Sequence, residues 1–531
     1  MTRENQWARL ARTAVFDLAV IGGGATGLGV ALDAVLRGFS VVLLESHDFG
    51  GGTSSRSTKL LHGGVRYLAQ GNIALVREAL AERANVLHIA PHLAQPLPFV
   101  MPSYRWWQTP FYGMGLKLYD LLAGRAGLGQ TQWLTPQQTR TALPGLRPQG
   151  LRGGVKYWDG QFDDARLALS LARSVERAGG LPMNYAAVTG LSAPSSGAPA
   201  GLFTLEVQDR VSRHGRTTVR ARAVVNAAGV WVDEVRQKAV PNGAEAPHRL
   251  VSPSQGVHIV VDRAFMPSDH ALLVPRTDDG RVLFAVPWMG ALILGTTDTP
   301  RQDLPREPRA FEDELAFILR EAGQYLARPL QRTDIRSLWV GLRPLVATSP
   351  GRKGTKSLSR EHVIVTDDHG LITVTGGKWT TYRAMAEEVL DTCFMAGVLP
   401  YRGGGLTRTH TLVGAPGPGT ATASITGAPG AHLFGNEWAQ VKACPGASRA
   451  LGMGLTEAMV RYAARSEYAR TVEDVLARRW RALFLDARQA MAMAPAVAQL
   501  LQEETRHDPR LQPFLSLAAS YLPGPLPENQ P

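Results

Sequence analysis

An α/β fold is predicted for this chain, with a Rossmann-like dinucleotide-binding domain, an antiparallel-sheet domain and a helical C-terminal domain. Three observations predict it. Residues 16–45 read as strand, glycine turn, helix and second strand; short segments between 248 and 367 alternate apolar and polar residues at period two; helical patterns resume from Thr456. The 531 residues exceed what one hydrophobic core supports, so two or three domains are expected.

The first element is the strand 16–21, followed by Gly22, Gly24 and Gly27 in the spacing G-x-G-x-x-G. Gly22 permits a tight turn, Gly24 lets a pyrophosphate approach the backbone, and Gly27 lets helix and strand pack closely. The helix that follows presents free N–H groups and a partial positive charge to a phosphate. A second strand, 41–44, ends on Glu45, a carboxylate placed to accept hydrogen bonds from a ribose diol. This pattern fits NAD and FAD equally, since both carry ADP.

Composition narrows the partners. The net charge of +12 and pI near 9.9 favour an anionic partner: nucleic acid, anionic lipid or a phosphorylated substrate. No basic tract interleaved with aromatics and no nucleic-acid motif is present, so nucleic acid is not expected. Cys393 and Cys444 are too few for a disulfide framework or a zinc site, which suits a reducing, cytoplasmic compartment, and no metal is expected. Neither a secretory signal nor a transmembrane helix is expected.

Next comes Gly50-Gly51-Gly52-Thr53-Ser54-Ser55-Arg56-Ser57-Thr58-Lys59-Leu60-Leu61-His62-Gly63-Gly64-Val65-Arg66-Tyr67-Leu68. So many small residues and hydroxyls suit backbone that lies against a large planar or phosphorylated ligand. The run from Thr53 to Leu68 resembles the FAD-dependent, quinone-linked respiratory glycerol-3-phosphate dehydrogenases. Later segments extend the resemblance: the helical pattern 72–90, Asp163-Asp164-Ala165-Arg166-Leu167, and the helical block 461–479. One departure is visible near Gln255, where a lysine is usual in that family.

Between these lies an aromatic-rich block, Tyr104-Arg105-Trp106-Trp107 and residues 111–119, apolar nearly all round. It reads either as a buried helix or as a patch resting in a lipid interface, with Lys117 and Arg105 reaching to the headgroups. Residues 202–207 and 217–222 read as a hairpin. The buried strand that follows ends in Asn226-Ala227-Ala228-Gly229, small residues of the kind that lie beside the adenosine of FAD in this class, which favours FAD over NAD. A further strand, glycine turn and helix run through Gly376-Gly377-Lys378-Trp379-Thr380-Thr381, where a helix N-terminus could support the electron-rich edge of reduced flavin.

The resemblance implies FAD as cofactor, held by Gly22, Gly24, Gly27, Glu45, Thr53, Ser54, Ser55, Ser57, Lys59, His62, Gly63, Gly64, Ala228, Gly229, Gly377, Lys378 and Thr380. It also implies a phosphate held by Arg66, Tyr67, Arg343 and Arg360, with His258 and Lys378 beside the reacting carbon. Histidine's ordinary pKa makes His258 the best general base available, while Arg343, which stays protonated, is assigned to alkoxide and phosphate stabilisation.

The expected division is 1–90, 156–247 and 368–400 for the FAD domain, 91–155 for a membrane-facing cap and 248–367 for the substrate sheet. Residues 401–445 would form a linker and 446–531 the helical domain. The partners implied are glycerol 3-phosphate, a membrane quinone, an anionic membrane surface on the cytoplasmic side and a second copy of the chain. Transfer to oxygen, or a non-enzymatic flavin-bearing subunit, are the alternatives.

Overall fold

The structure, a computed structural model, describes residues 2–64, 68, 72–193, 201–212, 215–240, 247–278, 280–347 and 362–524. Arg66, Tyr67 and Arg360 lie outside the described residues.

The apolar strand Phe16–Ile21 is the centre of an eight-stranded sheet. Val41–Leu44 and Arg216–Asn226 flank it in parallel, followed by Leu181–Met183 on one side and Ile372–Gly376 on the other. The sequence reads Phe16–Ile21, Val41–Leu44, the end of Arg216–Asn226 and Ile372–Gly376 as strands, and does not single out Leu181–Met183; parallel strands covered on both faces require such buried runs. Helices Ala25–Leu36 and Tyr382–Met395 pack on one face: a Cβ on Gly29 would stand 2.9 Å from the Tyr382 ring, so that glycine sets the helix spacing. The expected hairpin is present as Phe203–Asp209 against Arg216–Asn226.

A ten-stranded sheet forms the second layer. Ser254–Asp262 lies towards one end of it, between Ala291–Gly295 and the edge strand Ser337–Arg343, and the strands expected at Ala271–Val274 and Leu283–Trp288 are in it. This sheet is not confined to 248–367. Ala94–Ser103 and Gly153–Phe162 extend it, pairing with each other along ten residues each and with Ala271–Val274. His362–Thr366 instead joins the FAD-domain sheet as an antiparallel edge. Strand pairing between distant segments decided this, and local alternation carries no record of the partner.

The aromatic block forms the helix Gln108–Ala123, of which only Gly113, Leu116, Tyr119 and Ala123 are buried. The reading as a wholly buried helix is therefore corrected: Trp106 is 82% exposed and Leu121 76%, with Phe111, Met114 and Leu118 on the same open face.

The expected linker is packed rather than free. Leu412, Val413 and Ile425 are buried, and Ile425 N donates to Gln95 Oε1 at 3.0 Å. The C-terminal helical pattern 461–479 is broken at Tyr468, whose φ is +59°, and continues as a π-helical turn over Asp474–Arg479. That turn docks onto the first domain through buried charges. Asp48 accepts from Arg478 and Arg479, and although burial opposes its ionisation the two guanidinium groups hold its pKa at about 2. Arg166 pairs with Glu467 at 2.7 Å in the same interface.

Candidate active site

One cavity of about 630 Å³ runs from the glycine turn after Phe16–Ile21 to the strands of the second sheet. Its cofactor end is made largely of backbone. Gly22 has φ +110°, and a Cβ there would stand 2.6 Å from Ala227 O; a Cβ on Gly27 would stand 2.0 Å from Gly22 O. Both glycines are therefore sterically required, as the spacing predicts. Glu45 is held by Gly23 N–H at 2.7 Å and His47 N–H at 2.8 Å, which orients its carboxylate before any ligand binds.

The hydroxyl-rich loop wraps the helix N-terminus. Ser54 Oγ accepts from Ala25 N at 3.0 Å, Trp379 Nε1 donates to Ser54 O at 2.8 Å, and Thr53 Oγ1 donates to Leu342 O at 2.7 Å. Glu45, Thr53, Ser54, Ser57, His62, Ala228, Gly229, Gly377, Lys378 and Thr380 line the cavity together with Gly22 and Gly24. These donors, the helix end that starts at the side-chain-less Gly24 and the placed carboxylate fit a dinucleotide with a ribose diol.

Five of the expected cofactor residues do not line it. Gly27 acts through helix packing as described. Ser55 is buried, and its carbonyl accepts from Lys59 Nζ at 2.8 Å. Lys59 has no exposed surface; it bonds Asp164 Oδ2 at 2.7 Å and lies among the rings of Trp288, Trp339 and Phe484. Its expected cofactor role is corrected to a buried amine behind the site, whose pKa burial lowers to about 7 against the pull of Asp164. A lysine in a hydroxyl-rich loop looks like a phosphate ligand in sequence, but here its partner, Asp164, is 105 residues away. Gly63 donates its N–H to Asp159 at 3.2 Å, and a Cβ would strike Tyr119 Oη at 2.3 Å; Gly64 supplies a turn at φ +80°.

At the other end His258 and Arg343 come from paired strands, and Lys378 lines the same cavity. His258 is stacked on Trp339 with ring centroids 5.2 Å apart, and its Nε2 is 2.9 Å from Thr58 Oγ1. Its Nδ1 is buried with no hydrogen-bond partner among the described residues. Burial, then Lys59 and Arg343, depress its pKa well below 6.5, so the ring is neutral. Arg343 is more constrained than its motif suggests. Nη1 donates to Asp298 Oδ1 at 3.0 Å and Gln255 O at 3.2 Å, while Nη2 donates to Thr297 O at 2.8 Å and Thr296 Oγ1 at 3.0 Å. It acts as a fixed positive charge. The absent lysine near Gln255 is offset by Arg301, whose Nη1 donates to Gln255 Oε1 at 2.8 Å.

Sequence reasoning missed Thr58, Trp231, Asp298, Arg306 and Trp379. It also missed the glycines that make room for His258 and Arg343: a Cβ on Gly256 would stand 2.2 Å from Arg343 Nη2, and one on Gly295 would stand 2.5 Å from His258 Cδ2. Glycines inside otherwise apolar strands are the signal that marks such close approaches.

The FAD dependent oxidoreductase family pattern matches residues 17–383, and the C-terminal domain of alpha-glycerophosphate oxidase matches 431–511. Mitochondrial glycerol-3-phosphate dehydrogenase of Rattus norvegicus is 39% identical over 98% of this chain and 75% of its own length, and the Arabidopsis thaliana enzyme is 38% identical over 93% and 83%. The glycerol-3-phosphate dehydrogenase of Bacillus halodurans complexed with FAD superposes with a TM-score of 0.75 at 28% identity, covering 99% of both chains. The L-alpha-glycerophosphate oxidase of Mycoplasma pneumoniae, at 16% identity, TM-score 0.54 and coverage of 71% and 94%, shares the fold. Long matched motifs, whole-chain similarity and a cavity shaped for a dinucleotide agree, and the chain belongs to the FAD-dependent glycerol-3-phosphate dehydrogenase family of oxidoreductases.

Proposed function

We propose that the protein oxidises sn-glycerol 3-phosphate to dihydroxyacetone phosphate, with electrons passed on to a membrane quinone. The observation that carries the reading is the neutral, buried His258 facing one cavity with the cations Arg343 and Lys378 and with the dinucleotide elements. FAD, when bound, accepts the hydride from the substrate carbinol carbon. His258, a neutral imidazole lining the cavity with its Nε2 2.9 Å from Thr58 Oγ1, takes the hydroxyl proton as the carbonyl forms. Arg343 stabilises the developing alkoxide by its charge, and Lys378 attracts the phosphate. Dye-linked turnover with glycerol 3-phosphate tests the substrate. Faster turnover of glycerol or a 2-hydroxy acid overturns it.

The open face of helix Gln108–Ala123 supports a membrane acceptor. Phe111, Met114, Leu118 and Leu121 recur at helical spacing beside exposed Trp106 and Trp133, and Lys117 Nζ sits 5.5 Å over the Trp133 ring. Contiguous exposed apolar surface marks a partner, and each basic residue near an anionic bilayer adds on the order of 1 kcal/mol. No helix among the described residues is long and apolar enough to cross a membrane. Flotation with anionic liposomes is expected for the protein and lost in Trp106→Ser/Trp107→Ser, with dye-linked activity retained. Rapid oxygen reduction with stoichiometric peroxide, and no flotation, would favour oxidase chemistry, the reading suggested by the oxidase-type C-terminal domain.

A further inference from the structure

We propose that Arg306 clamps the diphosphate of the bound dinucleotide, reaching it on a strap that comes from the other domain. The strap joins strand Thr299–Pro300, at the edge of the ten-stranded sheet, to helix Glu312–Tyr325. Arg306 nevertheless lines the cavity beside Glu45, Gly51 and Gly52 of the FAD domain, and its Nη2 is 3.1 Å from where a Cβ on Gly51 would stand. The strap is pinned on both sides of this residue. Trp231 Nε1 donates to Leu304 O at 3.2 Å; Arg56 donates to Arg306 O at 3.2 Å and to Glu307 Oε1 at 2.6 Å.

The guanidinium so delivered has no hydrogen-bond or ion-pair partner among the described residues. The nearby carboxylates are already engaged: Glu307 by Arg56, Glu473 by Arg478, and Glu45 by the N–H groups of Gly23 and His47. Burial lowers the pKa of Arg306, with Glu45 acting in the opposite sense, and a partly desolvated cation without a counter-ion is costly. Across the same cavity the helix Ala25–Leu36 begins at Gly24, which has no side chain to cap it, and has no acidic residue in its first turn; its only side-chain acceptor among the described residues is the neutral Ser54 hydroxyl on Ala25 N–H. An anion between this helix end and Arg306 satisfies both. Glu45 suits the ribose diol, which leaves the diphosphate as the anionic part of the ligand. Arg306 thereby makes cofactor retention depend on the strap of the substrate domain, whichever substrate or acceptor the enzyme uses.

The test is flavin release from the full-length holoenzyme, followed as the rise in free-flavin fluorescence on dilution at several salt concentrations. Loss of a charge-assisted fork predicts release roughly tenfold to a hundredfold faster in Arg306→Met. Its salt dependence should be weaker than that of the parent, because screening acts on the charge that has been removed. Arg306→Lys should fall between the two. Glu307→Gln, which loosens the strap and leaves the charge, should release flavin more slowly than Arg306→Met and keep the parent's salt dependence. Release within twofold of the parent in Arg306→Met overturns the assignment, as does Arg306→Lys or Glu307→Gln matching Arg306→Met in both rate and salt slope.

Discussion

The two ends of the cavity are built by different means. At the cofactor end one contiguous stretch of about thirty residues supplies the glycine turn, the helix end and the Glu45 carboxylate, and the loops carrying Thr53, Ala228 and Gly377 close around it with backbone and hydroxyl groups. At the catalytic end His258, Arg343 and Thr58 come from three segments up to 285 positions apart (343 − 58), and each is held by further side chains. Backbone sites fail by steric intrusion, whereas side-chain sites fail by loss of orientation or charge. The first kind of failure should be all-or-none and the second graded.

Breaking the cofactor end should have the largest effect. In Gly27→Ala the new methyl would stand 2.0 Å from Gly22 O, inside any permitted contact, so strand and helix must separate. Flavin absorbance per protein after gel filtration should fall to near zero; normal flavin content would show that the turn can yield.

Breaking the catalytic end should leave the cofactor in place. His258→Gln should lower kcat by about two to four orders of magnitude, the range for a lost general base, with the flavin spectrum retained. A drop under tenfold would move the proton acceptor elsewhere.

A smaller effect compares the ends through pH. Burial first, then Arg306, lowers His47 to about 3, and burial lowers His258 well below 6.5. Both fold uncharged. The unfolded chain takes up a proton at each below about pH 6.5 while the folded chain does not, so the stability they contribute is present above 6.5 and is lost as pH falls. Between pH 6.5 and 5 each histidine should cost about 2 kcal/mol. Thermal melts of His47→Gln should lose its share of that pH dependence, and an unchanged slope would contradict the burial argument. For the same reason kcat/KM should show no acid limb near pH 6.5 arising from His258.

The smallest effect sharpens the contrast within the catalytic end. Thr58→Val keeps shape and removes the hydroxyl on His258 Nε2, a change worth about 1 kcal/mol, or roughly fivefold in kcat. If Thr58 sets the tautomer, KM should stay unchanged while kcat falls. A change in KM alone would place Thr58 on the substrate instead.

By itself the sequence determined what depends on neighbours along the chain. The dinucleotide turn, Glu45, the central parallel strands and the presence of strands in the second sheet were legible because period, glycine spacing and apolar runs are local consequences of backbone geometry; the expected alternation with one wet face was not, since those strands are buried on both faces. Long motifs carried the family and, through it, His258, Arg343 and Lys378. Tertiary structure alone decided which strands pair, so Ala94–Ser103 and Gly153–Phe162 joined the second sheet. It sent Lys59 inward to Asp164 rather than to a phosphate, because a buried amine goes where a carboxylate from another segment meets it. It turned one face of helix Gln108–Ala123 to solvent although composition alone favoured burial. It also carried Arg306 across the domain boundary to Gly51. Each of these depends on a partner far away in the chain, and local pattern holds no term for that partner.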